Sequence, residues 1–189
     1  MSETSPNPTT PPLPPPSSGP ALPPIDPRAL LATAIAVVKN PTEFFKARKG
    51  ETGFVHCLVF SVAAALVYGA LTFLSTLLYV SLALGFGAGL VGAIMALVQA
   101  AIMGVVGPFL GGLIVWGVSL IFGSKAPYEP SVRIAAYSMA VLPVSGLCSF
   151  VPLIELLGML AAGVYSIYIA VMGARVLNFD SPPAATPTA

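Results

Sequence analysis

The chain has 189 residues, of which 56% are hydrophobic and 8% charged, with a net charge of +1. Ordinary globular domains carry about 25% charged residues, so this composition excludes a typical soluble fold. The near-zero net charge removes any general electrostatic basis for binding nucleic acid. The two cysteines, Cys57 and Cys148, fit neither a zinc spacing nor a disulfide framework and read as small buried hydrophobes.

Residues 1–26 form a proline-rich tail that includes Pro14-Pro15-Pro16, with Ser and Thr in the gaps. Such a segment cannot bury a core and is expected to be disordered, with polyproline II character. Its Pro11-x-x-Pro14 spacing is one that SH3-like grooves can bind, although a plain spacer is the simpler reading.

Residues 27–50 read as an amphipathic, basic segment at the membrane surface. Asp26 is an N-cap, Pro27 suits the first helical position, and Pro41 stops the helix after Asn40. Leu30, Leu31, Ala34, Ile35 and Val38 then fall on one stripe. The helix is too short to span, so it is expected to lie along the bilayer or to pack on the bundle. Next come Phe44 and Phe45 beside Lys46, Arg48 and Lys49, with Lys39 just upstream. Aromatics at headgroup level and cations facing anionic lipid are a recurrent interfacial arrangement. These six residues are the candidates for contact with lipid or a partner.

From Thr52 to Ser124 there is no Asp, Glu, Lys or Arg. A run of 18 or more apolar residues marks a membrane span. At ~1.5 Å per residue this run reaches roughly 110 Å, against a hydrocarbon core of about 30 Å, so it crosses more than once. The start lies too deep in the chain, and the run is too long, for a signal peptide.

Residues 51–178 are expected to form an all-α polytopic bundle of about five spans, at about 54–78, 83–106, 108–122, 131–150 and 152–177. Gly107-Pro108 is the expected break between the second and third, because proline favours a helix start. Gly123 can cap the third, and Pro143 lies inside the fourth. Residues 179–189 form a second disordered tail.

The cations before the first span put the N-terminus in the cytoplasm. Five spans then leave Lys125, Arg133 and Arg175 outside. Four spans, with a re-entrant piece within 83–122, would bring them inside. Forty uncharged residues comfortably make two crossings, so length favours five.

Candidate chemistry is sparse. There is one histidine, no HExxH or GxSxG motif and no pair of carboxylates within a span. General acid–base or metal-assisted hydrolysis therefore has no apparatus, and no catalytic, cofactor-binding or metal-binding residue is assigned. The intramembrane polar candidates are His56, Gln99 and Glu155. His56 suits a solvated position at the mouth of the first span, and Gln99 an interhelical hydrogen bond. Glu155 is either a functional group or a carboxylate stabilised in the first turn after Pro152. Gly85-x-x-x-Gly89 and Gly107-x-x-x-Gly111 are small-xxx-small patterns suited to helix packing, within one bundle or between copies.

Several features then fall in a familiar order. Pro41-Thr42-Glu43-Phe44-Phe45 precedes the first span, and a span ends in Phe122-Gly123. Ala136-Tyr137-Ser138-Met139-Ala140 follows with Pro143, then Val151-Pro152 and Tyr165-Ser166-Ile167-Tyr168 leading to Gly173. Over roughly residues 28–178 the chain resembles the YIP family of Ypt/Rab-interacting membrane proteins (Yip-one domain), in its bacterial branch. The resemblance implies a five-span bundle with a cytoplasmic N-terminus, set in a bacterial inner membrane. Eukaryotic members bind prenylated small GTPases in vesicle trafficking, whereas bacterial members generally lack an assigned activity. The chain departs from the family pattern at Glu155, where glycine is usual.

The leading expectation is a non-enzymatic integral membrane protein that organises membrane or recruits partners. It would contact the bilayer, anionic lipid at the cytoplasmic face and a protein partner or a second copy. The alternative is a small transporter or channel with a polar path near Glu155 and Gln99.

Overall fold

A computed structural model describes residues 26–179 of the chain. The tails expected at 1–26 and 179–189 lie outside it, apart from Asp26 and Phe179.

The structure opens with two short helices, α1 (Pro27–Lys39) and α2 (Pro41–Ala47). Asp26 caps α1 by accepting from the Arg28 N–H at 2.9 Å. Asn40 does the same for α2 from the Glu43 N–H at 3.4 Å, and each helix carries proline in its first turn. These side chains answer backbone donors that a helix start leaves free. Val37 is fully buried, whereas Leu31 and Ile35 on the same helix stay exposed. The Tyr165 hydroxyl donates to the Val38 carbonyl, which pins α1 to the bundle.

Two long helices follow, α3 (Val55–Leu84) and α4 (Phe86–Ile121), joined at Gly85. Gly85 has φ of +93°, a backbone conformation that side chains disfavour, so it serves as a turn residue. α4 runs straight through Gly107-Pro108, where the sequence suggested a break. A proline inside a helix frees the carbonyl four residues earlier. Here that carbonyl belongs to Gly104, and the Ser61 hydroxyl of α3 donates to it at 2.8 Å. The bare Gly104 surface permits the approach, because a Cβ there would lie 3.0 Å from the Val62 Cα. A neighbouring helix thus supplies the hydrogen bond that proline removed, and the helix continues.

The third crossing is compound: α5 (Tyr128–Ser138), a 3₁₀ turn (Met139–Val141) and α6 (Leu142–Cys148). The tightened turn ends two residues before Pro143, which takes a first-turn position of α6, where its missing N–H costs no helical bond. α7 (Pro152–Ala174) makes the last crossing and ends in a π-turn, Arg175–Phe179.

The described residues form an all-α polytopic bundle preceded by a short amphipathic helix, the fold class that the sequence implies. Four helical segments are long and apolar enough to cross a bilayer. The expected count of about five is roughly consistent with these four and the short N-terminal helix, while 83–122, expected to divide at Gly107-Pro108, lies largely in one unbroken helix. With four crossings, the start of α3 and the end of α7 lie at one end of the bundle. α5 and α6 form its centre and touch all three other spans, while α4 and α7 touch each other only sparsely.

Candidate functional site

The end of the bundle where α3 starts, α4 stops, α5 starts and α7 stops gathers nearly all the charge. Lys46, Arg48, Lys49, Lys125, Arg133 and Arg175 lie there, six of the eight Lys and Arg residues. Lys39 closes α1 two residues before Pro41. At the opposite end, the α3–α4 turn and residues 149–151 contain no cation.

A network of buried aromatic and charged groups organises this end. The Tyr137 ring of α5 is 2% exposed and meets Phe44 edge-on, with ring centroids 4.9 Å apart. Phe60 lies 5.4 Å from the same ring. The Arg48 guanidinium stacks over Phe44 and Tyr137, 4.9 and 5.2 Å from their centroids. It donates to the Tyr137 hydroxyl at 2.6 Å and pairs with the Glu51 carboxylate at 3.2 Å. The Tyr137 hydroxyl in turn donates to Glu51 Oε1 at 3.2 Å.

Arg133, one helical turn before Tyr137, is 5% exposed and donates to the Glu51 backbone carbonyl. Glu129 accepts from the Gly53 N–H at 2.6 Å. Together these bonds strap residues 48–53 across the mouth of α5. A charge-assisted bond is roughly twice as strong as a neutral one, and here several share one partly dry site.

A second network fastens the other terminus. Asn178 Nδ2 donates to Ser119 Oγ at 2.9 Å and to Ser131 Oγ at 3.1 Å. Ser124 Oγ donates to the Asn178 carbonyl at 2.8 Å. The π-turn is thereby tied to the end of α4 and the start of α5.

The expected site residues divide accordingly. Lys39, Lys46 and Lys49 are exposed, with Lys46 paired to Glu43 at 3.1 Å. Phe44 and Phe45 do not face headgroups, being 9% and 1% exposed and packed in the core. The Phe45 ring lies where a Cβ on Gly173 would meet it at 2.8 Å. Arg48 is half-buried and spends its charge within the network. His56 is exposed in the first turn of α3.

Gln99 and Glu155 are not brought together. Gln99 lies on the rim of a groove of about 530 Å³ lined mainly by Ala, Gly and Met, and Glu155 is not among its lining residues. Glu155 sits half-buried in the first turn of α7.

Of the four packing glycines, Gly89 faces Ser81, Gly107 faces Met139 and Gly111 faces Ala135. Gly85 is the turn residue and has nothing within 4 Å. The closest backbone approach is at Gly112, where a Cβ would stand 2.7 Å from the Val132 Cα. Sequence reasoning missed Gly112, Arg133, Tyr137, Glu51 and Asn178. A cation and an acid beside apolar runs were the available signal for Arg133 and Glu51.

Four apolar helices long enough to cross a bilayer, with the start of α3 and the end of α7 at one charge-rich, hydrogen-bonded end, define a multi-pass helical membrane protein. The Yip1 domain family model matches residues 35–188. The chain therefore belongs to the Yip1 domain family. No curated protein and no solved structure matches it.

Proposed function

We propose that the protein is a non-enzymatic scaffold of a bacterial inner membrane that organises membrane or recruits partners through its charged end. That end is the cytoplasmic one. The observation that carries this reading is the segregation of charge. Lys46, Lys49, Lys125 and Arg175 are exposed at one end, and the α3–α4 turn and residues 149–151 at the other contain no cation. Basic residues flanking spans are retained on the cytoplasmic side, and each contributes about 1 kcal/mol of attraction to an anionic surface. The strap of residues 48–53 holds this basic rim in a fixed place against α5, so a partner or lipid surface would meet a preformed face.

The single tryptophan, Trp116, donates to the Ala126 carbonyl at 3.3 Å beside this face and reports on nearby lipid. In vesicles holding the intact protein, its fluorescence should be quenched more by headgroup-labelled anionic lipid than by labelled zwitterionic lipid. The preference should fall in high salt and in a Lys46→Gln/Lys49→Gln/Lys125→Gln variant. Equal quenching by both lipids at low salt would remove the anionic-surface part of the proposal.

A further inference from the structure

We propose that the protein self-associates in the membrane along α4, with Gln99 of each copy hydrogen-bonded to Gln99 of the other. Gln99 is exposed and makes no hydrogen bond among the described residues. Gly69 of α3 packs against Ala100, which places Gln99 about fourteen residues, roughly 20 Å, from the charged start of α3. It therefore lies at hydrocarbon depth, where water cannot satisfy a carboxamide. An unpaired amide there is costly.

The residues around it form a seam. Met95, Gln99, Ile102, Val106 and Leu110 are all exposed and recur at steps of four, three, four and four. That spacing is the apolar repeat of a packed helix pair, and a single polar residue within such a seam fixes its register. Beside the seam, α4 and α7 stand apart over the groove that Gln99 borders. The walls offer small residues, Ala96, Ala100, Ser166 and Ala170, which let a second helix approach closely.

A second copy fits this face better than an acyl chain or a different helix. An acyl chain has no hydrogen-bonding group at this depth. A two-fold axis along the membrane normal brings the same residue of each copy to the same depth. A carboxamide is both donor and acceptor, so it complements itself across that axis. This inference is independent of the charged end and of its proposed cytoplasmic role.

The test uses the intact chain in native membranes with Cys57 and Cys148 replaced by Ala. On mild oxidation, Gln99→Cys should form a disulfide-linked dimer. Val67→Cys should not, because that exposed residue faces the α1 side of the bundle. In a dilution series in vesicles, Gln99→Leu should weaken association by roughly 3- to 30-fold, the range for one interhelical polar contact. It should leave the fold intact, since Gln99 makes no internal bond. A protein that stays monomeric at every density would overturn the proposal. So would equal cross-linking at both cysteines, cross-linking only to a different protein, or unchanged association of Gln99→Leu.

Discussion

The two ends of this bundle are held together by different means. At the charged end, residues far apart in sequence are joined by specific bonds. Arg48, Glu51, Arg133 and Tyr137 share one network, and Asn178 ties the C-terminal turn to Ser119 and Ser131. At the opposite end such bonds are fewer and join neutral groups only, as where Ser149 Oγ donates to Ser75 Oγ at 2.9 Å. There the Tyr79 hydroxyl reaches the Phe150 carbonyl, and beyond it Leu82, Leu84 and Phe86 stand exposed on the α3–α4 turn. α7 shows the same gradient along its length. Ile169 and Gly173 near the charged end are buried, whereas Leu156, Leu157 and Leu160 are exposed. The difference follows from the solvent. Lipid satisfies an apolar surface but not a polar one, so hydrogen-bonding groups gather where they can be paired. The charged end is thus the part of the molecule with the most specific geometry.

The comparison depends first on which side of the membrane each end occupies. A reporter fused after Ala189 should read cytoplasmic and one inserted at Gly85 should read external, an all-or-none difference. Like readings at both positions would break the four-crossing arrangement.

The next effect concerns packing between backbones. Gly112→Leu forces α4 away from the Val132 backbone of α5 and should cost about 3 kcal/mol, the upper part of the range for over-packing. Gly117→Ala is its control, because nothing lies within 4 Å of a Cβ there, and it should change stability by no more than about 0.5 kcal/mol. Unfolding of the reconstituted protein measures both. Equal effects would mean that the α4–α5 contact is not tight.

A smaller effect is expected at the strap. Tyr137→Phe keeps the ring contacts and removes both hydroxyl bonds, to Arg48 and to Glu51. It should destabilise by about 2 kcal/mol, as expected when partly buried charged groups lose a partner. Trypsin should then cut faster at Lys49, since the strap opens locally. Unchanged cutting would show that the aromatic packing of Phe44 and Phe45 alone holds the segment.

Reading the sequence recovered the parts that depend on local chemistry. The capped start of α1 at Asp26-Pro27 and the end of that helix at Asn40 follow from residues adjacent in the chain. So does the turn before Pro152. The candidate site was only partly visible. Lys39, Lys46 and Lys49 are exposed. Phe44 and Phe45 looked interfacial because nothing near them in sequence reveals the Tyr137 and Gly173 surfaces that cover them. Arg133 and Glu51 looked like flanking charges, although they belong to one buried network 82 residues apart in the chain.

By itself, then, the sequence determined that this is an all-helical membrane protein with its charge kept out of the lipid. Hydrophobicity and the absence of ionisable groups act locally, and no tertiary contact can reverse them across 73 residues. The tertiary structure decided that Phe86–Ile121 is one unbroken helix and which distant residues share a network. Pro108 ends a helix in isolation, but in the fold the Ser61 hydroxyl of another helix answers the freed Gly104 carbonyl and the helix goes on. A hydrogen bond between distant residues leaves no local trace, and such bonds both accompany the unbroken α4 and build the charged end.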